Sequence, residues 1–298
     1  MEFIKPGINI DFVGKRKMFI TISLIIIFIG IVSLVVKGGP KYGVDFAGGT
    51  LTQIKFTKDI SIERLRKAMG KNVSIQNFGE EGEYLLRFPQ TSSDTTGLAN
   101  EIHEKLTKAF GKGSYKIRRI EMVGPKIGKD LREKGILSII VALIGILIYI
   151  SVRFEFRFAL GAIIALCHDV LITLGMFSIL NKEIDLTTLA AFLTIVGYSL
   201  NDTIIVYDRI RENMKKYVKG NFPNIINRSV NETLSRTILT SGTTLFVVLA
   251  LFLFGGGVIH DFSLALLIGI VVGTYSSIYI ASPVLLLFER KIKNKKKK

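Results

Sequence analysis

An asparagine–aspartate pair lies inside a stretch of sequence that is otherwise apolar enough to cross a membrane. The stretch is "VGYSLNDTIIVYDRIREN", residues 196–213, and the pair is Asn201–Asp202. An ionised aspartate at the centre of a membrane helix costs about 2.5–3.5 kcal/mol on insertion scales, and such residues often mark ion paths. Because apolar surroundings favour the neutral acid, this carboxyl could take up and release a proton. The residues alone fit a proton relay or a structural carboxylate that fixes helix register.

A second carboxylate lies in the preceding apolar stretch. Asp169 follows His168 near the middle of residues 159–180, and no neighbour in sequence can pair with it. Its partner is therefore expected on another helix. From the residues alone, Asp169 could belong to an ion relay or be structural, and His168 could be a hydrogen-bonded histidine of the core.

A basic residue opens the following apolar stretch. Arg236 stands in "NETLSRTILTSGTTLF", and Thr240, Thr243 and Thr244 are predicted on the same helix face. As a counter-charge to Asp202, Arg236 would form an ion pair that breaks when the aspartate is protonated. As a membrane anchor, it would only extend its charge to the interface. The spacing leaves both interpretations open.

Small residues recur at every fourth position of the last apolar stretch: Ala265, Gly269, Gly273, Ser277 and Ala281. Gly269 and Gly273 form a G-x-x-x-G motif, which lets helix backbones approach closely. The pattern predicts a helix-packing face. It leaves open whether the partner helix belongs to this chain or to another.

Motifs of the common enzyme classes are missing from the sequence. The glycines of "YGVDFAGGT" are not followed by G-K-[ST], so they do not form a Walker A phosphate loop. No H-E-x-x-H motif or cysteine–histidine cluster is present, and the three histidines are far apart. We therefore expect no enzyme activity, no metal site and no cofactor other than a coupling ion, H⁺ or Na⁺. An ion gradient is the expected energy source, since one charge yields about 2.3 kcal/mol per 100 mV crossed.

Membrane-crossing helices must position these residues. The chain has 298 residues, 49% of them hydrophobic, and a mean hydropathy of +0.42. A span needs about 20 mostly apolar residues. Six stretches qualify, at residues 18–36, 135–152, 159–180, 186–207, 237–254 and 262–288. The first is longer than the core of a signal peptide and no A-x-A site follows it, so it is predicted to be retained.

The net charge of +16 is distributed asymmetrically. Lysines and arginines gather before the first stretch, between the second and third, between the fourth and fifth, and after the sixth. The positive-inside rule then places both termini in the cytoplasm and predicts a multi-pass protein of the cytoplasmic membrane. The basic tail, residues 289–298, is most simply a topology signal. A contact with anionic membrane lipid or ribosomal RNA is the less favoured alternative, and no nucleic-acid partner is expected.

Residues 37–134 are predicted to form an extracytoplasmic domain between the first span, within residues 1–36, and the other five, within residues 135–288. Strands are expected at residues 44–57, 73–78, 84–88 and 115–123, and helices at residues 62–69 and 98–110. Ser61 is the expected N-cap of the first helix, and "GEEGE", residues 79–83, is the expected turn. The order β-α-β-β-α-β is that of a ferredoxin-like sandwich. With one cysteine in the chain, no intrachain disulfide can stabilise it.

Nearly the whole chain resembles the SecF branch of the SecD/SecF family of protein-export membrane proteins. The motifs that carry the resemblance run from the first span to the last: "YGVDFAGGT", "VGPKIGKDLREKG", "LCHDV", "VGYSLNDTIIVYDRIREN", "NETLSRTILTSGTT" and "GTYSSIYIASPVLLL". The motifs of the fourth and fifth spans are specific, whereas "VDFAGG" is shared with SecD.

The resemblance implies a membrane α-helical fold, half of an RND-type transporter bundle that SecD completes, with a ferredoxin-like outer domain. It also implies a function, that of an accessory subunit of the Sec protein translocase beside the Sec channel. Such a subunit uses the proton- or sodium-motive force to promote the passage of an unfolded preprotein. The resemblance assigns the ion relay to Asp202, in the Asn201–Asp202 pair, and to Arg236, and it leaves Asp169 open.

Two other functions remain as alternatives. A small-molecule or lipid exporter of the RND type usually carries all its spans and two large outer domains in one chain, unlike this sequence. A scaffold that only holds the translocon together would tolerate neutralisation of Asp202.

Overall fold

The protein combines long apolar helices with a small α/β domain. The computed structural model describes residues 8–70, 73–78, 81–88, 95–217 and 220–295. Part of the predicted "GEEGE" turn, residues 79 and 80, and the end of the basic tail, residues 296–298, lie outside these ranges. In chain order the elements are α1 (Arg16–Val36), α2 (Val44–Ala47), β1 (Gly49–Phe56), α3 (Ile62–Met69), β2 (Ser74–Asn77), β3 (Glu83–Phe88), α4 (Thr95–Phe110), β4 (Tyr115–Val123), α5 (Pro125–Arg153), α6 (Phe156–Ile179), α7 (Leu186–Lys216), α8 (Phe222–Phe254), α9 (Gly256–Ser276) and α10 (Ser282–Lys295).

Six segments of the described chain are long and apolar enough to cross a membrane, which confirms the predicted number of spans. Helices α1, α5, α6, α7 and α8 each contain one, and the sixth, Ile259–Phe288, runs from α9 into α10. Helix α6 and the last span are the most buried of the six, with 56% of each apolar window inside the protein, against 11% for α1 and α5. The exposed apolar surfaces of α1 and α5 suit contact with lipid.

Three spanning helices extend beyond the predicted apolar stretches. Helix α5 begins at Pro125, α7 continues to Lys216 and α8 begins at Phe222. Hydropathy detects only the part of a helix that can lie in lipid, whereas polar residues continue the same helix outside it. A proline in the first turn, as in α5 and α8, costs no helix hydrogen bond.

The polar ends of α7 and α8 are bonded to each other. Asn213 Nδ2 donates to Ser229 Oγ at 3.0 Å and to Glu232 Oε2 at 2.7 Å. Arg209 Nε donates to Glu232 Oε2 at 2.7 Å. These contacts fix the relative position of the two helices that carry Asp202 and Arg236.

The last span is interrupted by a π-helical turn at Ser277–Ala281, between α9 and α10. Pro283 follows this turn, and a proline has no N–H to donate to the preceding turn of a helix. Ser282 Oγ donates to Ser277 O at 2.8 Å across the turn. A helix that loses a backbone hydrogen bond at a proline can widen locally into a π-helical turn.

The α/β domain, residues 49–123, follows the predicted order β-α-β-β-α-β. Its strands form an antiparallel sheet in the order β2-β3-β1-β4. Helices α3 and α4 cover one face, and Ser61 Oγ accepts from Arg64 N as the N-cap of α3. The strand predicted at residues 44–57 is wrong in its first part, where Val44–Ala47 form the short helix α2. The reason is that Gly48 and Gly49 have φ values of 78° and 129°, so the chain turns before β1 begins.

The α/β domain is attached to the helix bundle at the loop between α6 and α7. Ile184 N donates to Lys41 O at 2.8 Å, and Gly43 N donates to Ile184 O at 2.9 Å. Glu183, 5% exposed, forms ion pairs with Lys41 at 3.1 Å and with Arg87 of β3. Burial lowers the pKa of Lys41, and the nearby charge of Arg87 lowers it further. Burial also lowers the pKa of Arg87.

Candidate functional site

Asp202 lies in the interior of the helix bundle. Its side chain is on α7 and is 1% exposed. Ser241 of α8 donates its hydroxyl to Asp202 Oδ2 at 3.0 Å. Thr274 of α9 in turn donates to Ser241 Oγ at 2.8 Å. A chain of hydroxyls therefore links the carboxyl to two neighbouring helices.

Arg236 does not form an ion pair with Asp202 in this structure. It is exposed on α8, five positions before Ser241, and its charge acts on the Asp202 carboxyl from beyond ion-pair distance. Thr240, Thr243 and Thr244, which the sequence grouped with Arg236, donate to backbone carbonyls of their own helix. The direct partner of Asp202 is the Ser241 hydroxyl.

Asn201, the neighbour of Asp202, points away from this site. It is exposed, whereas Asp202 is buried, because adjacent residues of a helix face different sides. The "ND" pair therefore divides, with the aspartate inside the bundle and the asparagine on its surface.

Asp169 occupies a separate buried site on α6 and is 1% exposed. Its Oδ2 accepts the hydroxyls of Ser199 on α7 at 2.5 Å and of Ser276 on α9 at 2.8 Å. His168 Nδ1 lies 2.8 Å from Asp169 Oδ1. The partners expected on other helices are two serines, whereas the expectation that no sequence neighbour pairs with Asp169 is wrong, since His168 lies within hydrogen-bond distance.

The small residues of the last span bring α9 against α7 of the same chain. A Cβ on Gly269 would lie 2.3 Å from Ile195 Cγ1, and one on Gly273 would lie 2.9 Å from Ser199 Cβ. The packing partner of this stripe is therefore within the chain. This close approach also brings Ser199 and Ser276 to the same Asp169 oxygen.

The sequence offered Ser199 or Asn201 as a partner of Asp202 and placed Ser241 among the polar residues of the fifth span, but Ser199 bonds Asp169 instead. It did not pair the hydroxyl donors with the carboxylates that they contact: Ser199, Ser241, Thr274 and Ser276. These residues could have been noticed because a hydroxyl within an apolar stretch needs a hydrogen-bond partner. Which helices pack against each other, and therefore which partner each hydroxyl has, could not be derived from the sequence.

The result is two buried carboxylates. Asp169 accepts hydroxyls from two other helices, whereas Asp202 accepts one hydroxyl directly and is linked through it to a second helix. Both are groups that can bind a proton or a small cation.

The sequence matches families of protein-export proteins. The family "Protein export membrane protein SecD/SecF, C-terminal" matches residues 102–291, and "SecD/SecF GG Motif" matches residues 32–60. A protein translocase subunit SecF of Calditerrivibrio nitroreducens is 47% identical over 97% of this chain and 97% of its own length. The Vibrio alginolyticus protein of the same name is 48% identical over 94% of this chain and 90% of its own.

Solved structures agree with this relationship. The crystal structure of SecDF, a translocon-associated membrane protein from Thermus thermophilus, has a TM-score of 0.85 and 37% identity over 95% of this chain. A super-membrane-facing form of SecDF has a TM-score of 0.74 and 36% identity over 99% of it. The chain spans only 39% and 40% of those two chains.

Fold and sequence together therefore show an integral membrane protein with six spans and one small α/β domain. The chain belongs to the SecD/SecF family of protein-export membrane proteins.

Proposed function

We propose that this chain is a subunit of a protein translocase that uses an ion gradient to promote the passage of an unfolded preprotein. The family relationship supports the role in export, since relatives of nearly equal length are named translocase subunits. The observation that carries the coupling role is the burial of Asp202 with only a hydroxyl as its direct partner. A buried carboxylate with no cation beside it strongly favours taking up a proton or a small cation.

The proposed partner is SecD, which supplies the other half of the bundle. This chain presents polar and small residues on the surfaces of its spans, including Thr194, Gly197 and Asn201 at helical spacing on α7. Arg236 and Thr243 are exposed on α8 beside them. Polar residues facing lipid are costly, so this face, here called the polar face, requires cover by other helices.

Coupling is proposed to work through charge at Asp202. When the site takes up H⁺ or Na⁺, the charge of the carboxylate is cancelled and its attraction for Arg236 disappears. When the ion leaves, that attraction returns, so α7 and α8 have two preferred arrangements. An ion gradient that crosses this site biases the exchange between them, by about 2.3 kcal/mol per charge per 100 mV.

Movement of the bundle is proposed to reach the α/β domain by two routes. Helix α5 is continuous from Pro125, directly after β4, to Arg153. The contacts of Glu183 with Lys41 and Arg87 form the second route, at the loop that precedes α7. The domain would act on the preprotein outside the membrane.

The proposed location is the cytoplasmic membrane, with both termini in the cytoplasm. Basic residues at the polar ends of α7 and α8, such as Arg211, Lys215 and Arg228, support this orientation under the positive-inside rule. It places the α/β domain on the outer side, where the translocating preprotein emerges beside the Sec channel.

The test is preprotein translocation into inverted vesicles that contain this chain with SecD and the Sec channel. Asp202→Asn is compared with Asp208→Asn, a control on the same helix whose side chain is 48% exposed. We expect the ion gradient to accelerate translocation in the wild type and the control, and Asp202→Asn to lose this acceleration. Equal acceleration in all three proteins, at equal assembly, would indicate a scaffold and refute the coupling role.

A further inference from the structure

A buried ring nitrogen of the bundle core has no hydrogen-bond partner among the described residues. His168 on α6 is 6% exposed, and its Nε2 forms no hydrogen bond within the described structure. A buried polar atom without a partner costs about 1–3 kcal/mol, and such an atom in a native core requires an explanation.

The surrounding hydrogen bonds favour one form of the ring. Asp169 Oδ2 accepts from two serine hydroxyls, and hydrogen bonds of this kind stabilise the ionised carboxylate. Its Oδ1 then also accepts, so the proton lies on His168 Nδ1, 2.8 Å away. A neutral imidazole with its proton on Nδ1 has a free lone pair on Nε2. The partnerless atom is therefore a base.

The residues around the ring do not supply the missing donor. Tyr275 stacks on it with a centroid distance of 6.1 Å, but its hydroxyl donates to Phe19 O at 2.7 Å and lies 2.8 Å from Ser23 Oγ of α1. The titratable and hydroxyl groups near the ring are Cys167 and Asp169 on α6, Ser23 on α1, Ser199 on α7, Tyr275 and Ser276 on α9, and Tyr279 in the π-helical turn. Asp169 is the one acidic residue of that set, so the nearest negative charge to the ring is its carboxylate.

We infer that His168 Nε2 is a proton-binding site of this protein, distinct from Asp202, in which Asp169 orients the ring and balances its charge. A hydronium ion that reaches Nε2 transfers one proton. An N–H bond forms, an O–H bond breaks, and the water that remains accepts a hydrogen bond from Nε2–H. The imidazolium and the Asp169 carboxylate are together neutral, which limits the cost of the charge in the core.

The last span connects this site to Asp202. Ser276, bonded to Asp169, and Thr274, in the hydroxyl chain of Asp202, lie two residues apart on α9. Protonation of His168 therefore changes the charge beside Asp169, whose partner Ser276 lies on the same helix as Thr274 of the Asp202 site. This link to coupling rests on the proposed function, whereas proton binding at Nε2 does not.

The test uses the fact that the chain has three histidines, His103, His168 and His260. The full chain in lipid nanodiscs is labelled with ¹⁵N only in histidine, and the nitrogen resonances are followed as the pH is lowered. The single variants His103→Gln and His260→Gln assign the third signal by elimination, so the assignment does not depend on a variant of the buried histidine.

We expect the His168 signals to show a proton on Nδ1 and a bare Nε2 at the alkaline end, and protonation of Nε2 on acidification. His168 signals that show a proton on Nε2 at every pH, or that never change, would overturn the inference. The spectra do not depend on export, so failure of the translocation test would leave this result intact.

Discussion

At the scale of the residue, each buried carboxylate is held by hydroxyls of other helices. Asp202 has Ser241, and Asp169 has Ser199 and Ser276. A hydroxyl stabilises a carboxylate by one hydrogen bond and adds no charge. The negative charge of the carboxylate is therefore free to attract a proton or a sodium ion.

Removal of the Ser241 hydroxyl should impair coupling. Ser241→Ala leaves the buried Asp202 carboxylate without its direct donor, at a cost of about 1–3 kcal/mol. We expect a severalfold loss of the gradient-dependent part of translocation. Ser151→Ala on the lipid-facing helix α5 is the matched control, since that hydroxyl donates to a carbonyl of its own helix. Equal rates in the two variants would contradict the role of Ser241.

The sequence predicted the carboxyls better than their partners. Asp202 and Asp169 were recognisable because a charge within an apolar stretch is costly wherever the helix packs. The expected Asp202–Arg236 ion pair is absent in this structure, because spacing along α8 does not determine which residue faces α7. Ser241 has that position, and Arg236 remains on the surface.

At the scale of the element, the packing of α9 on α7 depends on glycine. Gly269→Ala would place a methyl group 2.3 Å from Cγ1 of the Ile195 side chain, which is β-branched and has one strongly preferred rotamer in a helix. Overpacking of this kind typically costs about 1–3 kcal/mol. We expect a lower thermal unfolding midpoint for the purified chain in detergent.

Gly145→Ala on α5 is the matched control for this substitution. Nothing lies within 4 Å of the position where its Cβ would stand, and alanine is the better helix former by about 1 kcal/mol. Its midpoint should be unchanged or higher. If Gly145→Ala lowered the unfolding midpoint as much as Gly269→Ala, replacement of any helix glycine would destabilise the chain. The explanation by close packing at Gly269 would then be wrong.

Element boundaries show where sequence reasoning stops. Apolar stretches identified all six spans, but the polar ends of α7 and α8 were missed because their helix is stabilised by contacts such as Asn213–Glu232. The short helix α2 was missed because alternating residues before Gly48 resemble a strand. Its turn is determined by the positive φ of that glycine.

At the scale of the whole molecule, the Glu183 ion pairs should hold the α/β domain to the bundle. Glu183→Gln removes the carboxylate in direct contact with Arg87, whose side chain is 14% exposed, and leaves only the more distant charges of Asp45, Asp185 and Asp261. Loss of one partner of a buried pair costs about 3–5 kcal/mol. We expect faster proteolysis between the domain and the spans, while the spans stay intact.

Glu133→Gln is the control for the domain contact. Glu133 lies 3.9 Å from Lys129, and both side chains are about two-thirds exposed, at 64% and 67%. Exposed pairs of this kind contribute about 0.3–0.5 kcal/mol, so proteolysis should not change. Equal proteolysis of the Glu183→Gln and Glu133→Gln proteins would argue that other contacts hold the domain.

The polar face should be needed for assembly with SecD and dispensable for the fold of this chain. Gly197 on α7, a member of this face, has nothing within 4 Å of its Cβ position. We expect Gly197→Leu to keep the unfolding midpoint of the isolated chain and to reduce co-purification with SecD severalfold. Gly145→Leu on the lipid-facing helix α5 should leave co-purification unchanged. If both variants retain SecD equally, the partner lies elsewhere.

The central claim is that ions pass the Asp202 site while a preprotein moves. The most direct measurement is ion flux into vesicles that contain the assembled complex, recorded with enclosed H⁺- and Na⁺-sensitive dyes during translocation. The account predicts a flux of one of these ions that requires the preprotein and is abolished in Asp202→Asn but retained in Asp208→Asn. Translocation without such a flux, or an equal flux in both variants, would contradict it.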